Sequence, residues 1–140
     1  MLNKNSPLSG IYRSHSAQLT EVSGWQMAEN YGNKDLEQKH LEEQCVLSDW
    51  SHIGKISLSG VKAAVDVEKM IKGSSKTKVL NTLMVKDAAA LRLTENDFLC
   101  LTEAGMEETL LGKLKKPQST LINQTGAMGC FALGGPRRDE

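Results

Sequence analysis

Aromatic residues are scarce in this sequence, where tryptophan, tyrosine and phenylalanine together make up 4% of 140 residues. A hydrophobic core must therefore be built from aliphatic side chains, each of which stabilises a fold by about 1.5–3 kcal/mol when buried. Net charge is also absent, because 17 lysines and arginines balance 17 aspartates and glutamates. Without a global positive field, neither nucleic acid nor an anionic membrane is an expected partner.

Long apolar runs and paired cysteines are missing as well. No run approaches the roughly 20 residues that span a bilayer, and the first residues lack the apolar stretch of a secretory signal. Cys45, Cys100 and Cys130 are far apart and form no Cys-x-x-Cys pair, which favours neither a disulfide framework nor a thiolate metal site. We expect a cytoplasmic protein in which the cysteines act as small buried hydrophobic residues.

The pattern of residues predicts one α+β domain over residues 1–140, with an irregular lead-in over residues 1–10. Asn33 stands where a helix N-cap is expected, and the alternation of polar and apolar residues at 55–59 predicts a half-buried strand. The further predicted elements are helices over 34–45, 61–71 and 106–114, and strands over 79–85, 89–93, 98–101 and 128–133. This order favours a mostly antiparallel sheet with helices on one face.

Three short motifs follow one another in the first part of the chain. They are Ser6-Pro7-Leu8, the turn Gly24-Trp25-Gln26-Met27 and the segment Asp49-Trp50-Ser51-His52-Ile53-Gly54, with Tyr31 between the last two. In order and spacing they resemble the opening of the aminomethyltransferase family, the glycine-cleavage T-proteins. Members of that family read Pro-Leu, Gly-Trp-x-Met-Pro, a Tyr, a short helix and then Phe-Asp-Val-Ser-His-Met-Gly.

The resemblance implies a folate-binding fold in which two similar units hold tetrahydrofolate between them. Leu133-Gly134-Gly135-Pro136 resembles a Leu-x-Gly-Pro segment that falls about a third of the way through family members, so the chain is expected to supply a single half-unit. A single unit would leave a sheet face or edge unpaired, and such surfaces favour association. We therefore expect a homodimer, as in the related N-terminal domain of tRNA-modifying GTPases, or membership of a larger enzyme complex.

Asp87 is the candidate catalytic residue that the resemblance implies. Met84–Leu93 occupies the place of a family segment, Gly-Gly-x-x-Asp-Asp-Leu-x-x-Tyr, whose second Asp acts near the folate nitrogen and the aminomethyl-lysine arm. Asp87 falls at that second Asp, whereas Lys86, Thr82-Leu83 and Leu91 replace the first Asp, the Gly pair and the Tyr. The alternative roles for Asp87 are a ligand contact without catalysis and an ordinary acid in a turn. The residues implied as folate contacts are His52, Ile53, Asp87 and Leu91.

Three further groups of residues are candidates for a function. Asp49, Ser51 and His52 combine an acid, a hydroxyl and an imidazole, but neighbouring residues of a strand point to opposite faces, which disfavours a hydrolase. We expect Asp49 and Ser51 to bond backbone groups around a bend. The histidines lack the spacing of a zinc site, so no metal is expected. The basic loop Lys72–Lys78 is either solvated or attracts the anionic tail of a ligand.

Three functional hypotheses remain open. The first is an aminomethyltransferase-like protein that binds tetrahydrofolate or a related one-carbon carrier, as a dimer and without full transferase activity. The second is a non-catalytic assembly subunit, by resemblance to the gamma subunit of sarcosine oxidase, and the third is a remnant without a ligand. Loss of the Gly-Gly, first Asp and Tyr positions favours the second hypothesis, whereas retention of Asp87 favours the first.

Overall fold

The computed structural model describes residues 4–139, which fold into two compact units. Unit 1 contains the described residues before Ile53 and from Gly129 onward, and unit 2 contains Ile53–Met128. The helices are α1 (Ser9–Ser14), α2 (Lys34–Glu43), α3 (Ala63–Met70) and α4 (Glu107–Leu111), with a 3₁₀ turn at Ser74–Lys76. The strands are β1 (Lys4–Asn5), β2 (Gln18–Val22), β3 (Trp25–Asn30), β4 (Val46–Asp49), β5 (Gly54–Ser59), β6 (Thr82–Val85), β7 (Ala88–Arg92), β8 (Asp97–Thr102), β9 (Thr120–Asn123) and β10 (Phe131–Gly134). None of the helices within residues 4–139 is long and apolar enough to cross a membrane.

Unit 1 contains a three-stranded sheet in the order β1-β3-β2 and a two-stranded antiparallel ribbon of β4 and β10. The hairpin of β2 and β3 turns at Ser23 and Gly24, which both have positive φ, +48° and +81°. Such a turn matches the twist of paired strands, and glycine adopts it without a steric penalty. Trp25 and Met27 alternate along β3 and are buried. The Gly-Trp-x-Met motif is therefore a hairpin turn followed by two core residues.

The lead-in over residues 1–10 is more regular than its composition indicated. Lys4 and Asn5 form β1, which runs parallel to β3, and α1 begins at Ser9. A strand of two residues has no periodicity, so its sequence could not reveal it. The first three residues of that predicted segment lie outside the described residues.

The helix predicted from residue 34 is confirmed as α2. The Asn33 side chain accepts a hydrogen bond from the Leu36 amide at 3.0 Å, as an N-cap does, and the helix ends at Glu43.

The predicted burial of the cysteines is wrong for Cys45, which follows α2 and is exposed. Cys100 is buried in β8, as predicted.

Unit 2 is built around a five-stranded antiparallel sheet in the order β6-β7-β8-β5-β9. Ile56 and Leu58 share one face of β5, and α3 packs Val67 and Met70 into the same core. Leu110 of α4 joins that core as well. The chain therefore has the predicted α+β fold, a mostly antiparallel sheet with helices on one face.

Three predicted elements of unit 2 are shorter in the structure, of which α3 differs from its predicted range 61–71 only at its ends. The strand predicted over 79–85 begins only at Thr82, because Leu80 has a positive φ of +62° that interrupts the extended backbone. The helix predicted to reach residue 114 ends at Leu111, although Leu114 still packs against the core. The spacing of apolar residues over 106–114 therefore predicted which side chains pack against the core, but it did not predict where the helix ends.

Asp66 is a buried carboxylate that ties α3 to the segment before β9. Its side chain is 0% exposed, and its Oδ2 accepts hydrogen bonds from the amides of Gln118 and Ser119 at 2.6 and 2.9 Å. The Ser119 hydroxyl donates to the same oxygen at 2.9 Å, and Lys69 donates to Oδ1 at 3.0 Å. Burial acts to raise the pKa of Asp66, but these hydrogen bonds outweigh it and lower the pKa to about 2.

We predict that Asp66→Ala lowers the free energy of unfolding by about 3 kcal/mol, because buried donors lose their acceptor. The stabilisation by wild-type Asp66 should be fully present above about pH 4, where an unfolded aspartate is ionised, and should be lost as the pH falls through about 2. Urea unfolding at several pH values measures both effects. Lys69→Ala, which removes only a half-exposed partner, should cost less than about 1 kcal/mol. An Asp66→Ala protein as stable as the wild type at neutral pH would contradict this role.

Candidate functional site

Unit 1 contains a groove of about 630 Å³ that we call the unit 1 groove. The end of β3, the exposed helix α2 and the strand β4 with the residues after it supply its walls. Tyr12, Tyr31, Glu37, Asp49, Trp50 and His52 are among its lining residues. Its volume lies within the range of small-molecule binding sites.

Asp49 is the structural anchor of the unit 1 groove. The hydroxyl of Ser6 and the phenol of Tyr12, the latter at 2.5 Å, donate to its Oδ2, and the Ser51 amide donates to Oδ1 at 2.8 Å. Burial acts to raise the pKa of Asp49, but hydrogen bonds from Ser51, Ser6 and Tyr12 hold the pKa below its usual value. Asp49 is therefore ionised at neutral pH, and the predicted bond between Asp49 and the backbone of the bend is confirmed.

Tyr12 is the buried partner in this cluster. Burial, and then the hydrogen bond to Asp49, raises the pKa of Tyr12 to about 12, so its phenol keeps its proton and remains a donor. The sequence carried one signal for the cluster, because Ser6 belongs to the Ser-Pro-Leu motif. It carried none for Tyr12, which lies in α1 and reaches Asp49 over 37 positions of the chain.

The turn between β3 and α2 positions Tyr31, which lines the groove. The buried Asn30 side chain donates to Gln18 at 3.1 Å and accepts from the Gly32 amide at 2.9 Å. The Tyr31 amide donates to the Glu37 carboxylate at 2.7 Å. Burial, and then the charges of Asp49 and Glu37, raises the pKa of Tyr31. Both carboxylates therefore act on the phenol of Tyr31.

We predict that Tyr12→Phe destabilises the protein by about 1 kcal/mol, because Asp49 loses a buried hydrogen-bond donor. Tyr31→Phe is the matched control, since Tyr31 is 45% exposed, and it should change stability by less than about 0.5 kcal/mol. Thermal and urea unfolding of the two variants give the comparison. Equal stability of the two variants would show that the Tyr12 phenol does not support Asp49.

Unit 2 contains a second cavity, of about 370 Å³, that we call the Asp87 cavity. Lys86 and Asp87 form the two-residue turn between β6 and β7, next to the register pair of Ala88 and Thr102. The Thr102 hydroxyl donates to the Asp87 carbonyl oxygen at 3.2 Å and so links the turn to β8. The cavity is lined mainly by apolar residues, with Lys86, Asp87 and Lys113 as its charged residues; the apolar ones include Met70, Ile71, Met106 and Leu110. A carboxylate beside an apolar wall can accept a hydrogen bond from a nitrogen of a bound ligand.

The four residues predicted as folate contacts occupy different places. Asp87 lines the Asp87 cavity and His52 lines the unit 1 groove. Leu91 lies on β7, paired with Leu99 and Thr82.

Ile53, the fourth predicted contact, directly precedes β5, and its carbonyl oxygen accepts a hydrogen bond from the Lys55 ammonium at 2.8 Å. Neither Ile53 nor Leu91 lines either cavity described above. The next residue, Gly54, has no room for a side chain. A Cβ there would clash with Thr102 and with Glu107, which explains the glycine at the end of the Ser-His-Ile-Gly motif.

The hydroxyl of Ser51 is not presented as a nucleophile. Ser51 is 0% exposed and its Oγ accepts a hydrogen bond from the Cys130 amide at 3.1 Å. The adjacent Trp50 amide donates to the Cys130 carbonyl at 2.8 Å, so this segment continues the pairing of β4 with the chain before β10. Within the described part of the chain, no three His, Cys, Asp or Glu residues are grouped to hold a metal ion.

Relatives of known identity resemble the chain over most of its length. A family model described as the GCVT N-terminal domain matches residues 8–140. The aminomethyltransferase of Halothermothrix orenii is 27% identical over 147 residues, which cover 95% of this chain and 41% of that protein. The aminomethyltransferase of Francisella tularensis is 30% identical over 72% of this chain and 26% of its own length. The chain thus spans less than half the length of these curated relatives.

Two solved structures share the fold. Aminomethyltransferase T of the glycine cleavage system from Bartonella henselae matches 99% of this chain and 42% of its own, with a TM-score of 0.85 and 21% identity. Heterotetrameric sarcosine oxidase from Corynebacterium sp. U-96, in complex with pyrrole 2-carboxylate, matches 72% of this chain and 57% of its own, with a TM-score of 0.50 and 18% identity. At these identities the likeness shows the fold alone. The family match over residues 8–140 confirms the resemblance seen in the motifs, and this aminomethyltransferase-like chain belongs to the GCVT N-terminal domain family.

Proposed function

We propose that this chain binds tetrahydrofolate or a related one-carbon carrier and lacks full transferase activity. Its membership of the GCVT N-terminal domain family supports the ligand class. The observation that carries the proposal is that Asp87, which the resemblance predicts to be the counterpart of the family's second Asp, lines a cavity with six apolar residues among its lining. The departures at Lys86, Thr82-Leu83 and Leu91 support the loss of activity.

The residues of the Asp87 cavity fit a flat heteroaromatic ligand with polar edges. Met70, Ile71 and Leu110 offer apolar surface, and Asp87 offers an acceptor for a ring N–H. When bound, tetrahydrofolate would supply the nitrogen that carries a one-carbon unit. Asp87 would orient that nitrogen and stabilise positive charge that develops near it. His52, Ile53 and Leu91 stay predictions of the family resemblance, since none of them lines the Asp87 cavity.

We predict that the full chain binds 5-formyltetrahydrofolate in isothermal titration calorimetry, and that Asp87→Ala weakens binding about tenfold or more. The reason is the loss of one hydrogen bond to a charged acceptor, which contributes about 1.5–3 kcal/mol. Glu108→Ala is the matched control, because Glu108 is an exposed carboxylate of α4 that does not line the cavity. Unchanged affinity of Asp87→Ala would remove Asp87 from the site, and an absence of binding by the wild type would overturn the ligand class.

We further propose that the chain forms a homodimer through the edge strand β6. Within the described residues, β6 pairs with β7 on one side only, and an unpaired edge can accept another strand. Apolar residues at this edge are exposed: Leu80 by 83%, Met84 by 75% and Val85 by 42%.

We also propose a cytoplasmic location. The exposed free thiol of Cys45 is compatible with a reducing compartment of this kind.

Met84→Lys is expected to convert the dimer to a monomer, because a charge at an exposed edge opposes strand pairing. Size-exclusion chromatography with light scattering measures the mass directly. Val61→Lys makes the same change at a residue that is 82% exposed and away from β6, and it should leave the dimer intact. A wild-type protein that elutes as a stable monomer would contradict this proposal.

The second candidate function is that of a non-catalytic assembly subunit in a larger enzyme complex. The fold shared with a chain of heterotetrameric sarcosine oxidase supports it. The same calorimetric titration separates the two functions, since an assembly subunit has no need of tetrahydrofolate. A wild-type chain that does not bind the ligand would favour the assembly function.

A further inference from the structure

The unit 1 groove carries an excess of negative charge. Among the described residues that line it are three carboxylates, those of Glu29, Glu37 and Asp49, and one lysine or arginine, Lys34. Lys34 donates to Glu29 at 2.5 Å, so this pair neutralises itself. Glu37 and Asp49 then leave two negative charges when the lining histidines are neutral. An anionic ligand would be repelled by such a groove.

The charge of Asp49 is balanced by dipoles and not by a cation. The three donors identified above are two hydroxyl groups and one amide, all of them neutral. Among the described residues, Asp49 takes part in none of the ion pairs found in the structure. Its net charge therefore persists at the wall of the groove, where partial burial reduces screening by water.

Aromatic rings accompany the carboxylates. Tyr12 lies inside unit 1 with 2% exposure, whereas Tyr31 and Trp50 are 45% and 49% exposed. All three line the groove. A cation placed over an aromatic face gains about 0.5–2 kcal/mol, and tryptophan is the strongest of the rings in this respect. Aromatic rings together with unneutralised carboxylates are the chemistry that recognises organic ammonium groups.

We infer that the unit 1 groove binds a small organic cation, a protonated or methylated amine, between the rings of Tyr31 and Trp50 and the carboxylates of Glu37 and Asp49. A bare metal ion fits less well, because the carboxylate of Asp49 already accepts hydrogen bonds from several donors. In addition, no cluster of three His, Cys, Asp or Glu residues that could hold a metal ion is found within residues 4–139. The inference goes beyond the proposed binding of a one-carbon carrier and uses no residue of the Asp87 cavity. Either proposal can fail without the other.

Choline and its neutral isostere 3,3-dimethyl-1-butanol test the inference with the full chain. The two molecules have the same shape, and only choline is charged. Chemical shifts of the indole N–H groups in nuclear magnetic resonance spectra follow the titration, with Trp50→Phe to assign the signal of Trp50. We expect saturable shifts of the Trp50 signal with choline and none with the alcohol. Equal binding of both molecules, or no saturation with choline up to about 50 mM, would overturn the inference.

Two variants and two matched controls locate the bound cation. Trp50→Ala should weaken choline binding about tenfold, whereas Trp50→Phe should retain most of the affinity because it keeps an aromatic face. For Trp50→Ala, backbone amide shifts around Tyr31 replace the lost indole signal as the readout. Glu37→Gln keeps an acceptor for the Tyr31 amide but removes the charge, and we expect about threefold weaker binding. Glu43→Gln changes the same helix outside the groove and should have no effect. If Trp50→Ala and Glu37→Gln bind choline as the wild type does, the inferred site is wrong.

Discussion

The burial of one aliphatic face of the five-stranded sheet beneath α3 and α4 is the constraint on which unit 2 depends. Ile56 and Leu58 of β5, Cys100 of β8 and Ala90 of β7 lie in one core. A slip of one residue by any of these strands would turn its core residues to the opposite face of the sheet. This requirement sets the register of β7 against β8. The register in turn pairs Ala88 with Thr102 and places the turn that contains Asp87 at the wall of its cavity. The position of the candidate site is thus a consequence of aliphatic packing.

Unit 1 follows a different principle, in which a charge is used as a structural anchor. Asp49 remains ionised because neutral donors surround it, and the same donors fix the chain before α1 and the bend after β4. A buried neutral residue could support the fold but would leave no field in the groove. The carboxylate therefore serves both the fold and the inferred recognition of a cation.

The sequence was most informative where local chemistry determines structure. The alternation around Ile56 predicted β5, and Asn33 predicted the start of α2. It was uninformative for β2, where nearly every residue is exposed and no apolar alternation exists. Strands of this kind form because a neighbouring strand supplies hydrogen-bond partners, which a sequence pattern does not show.

The candidate sites were predicted unevenly for the same reason. A motif pointed to Asp87, and its place in a turn next to β7 could be read from the chain. The association of Asp49 with Tyr12 depends on contacts between distant positions, which neither spacing nor composition reveals. Two cavities with different chemistry could be separated only with the fold in hand, and His52 and Asp87 then lay in different units.

The most direct test of the central claim is a map of backbone amide chemical shifts during titration of the full chain with 5-formyltetrahydrofolate. The account predicts saturable shifts at Asp87, Ala88 and Thr102, whose backbones surround the turn of the Asp87 cavity. Saturable shifts that leave these three amides unmoved, or no saturable shifts at all, would contradict it.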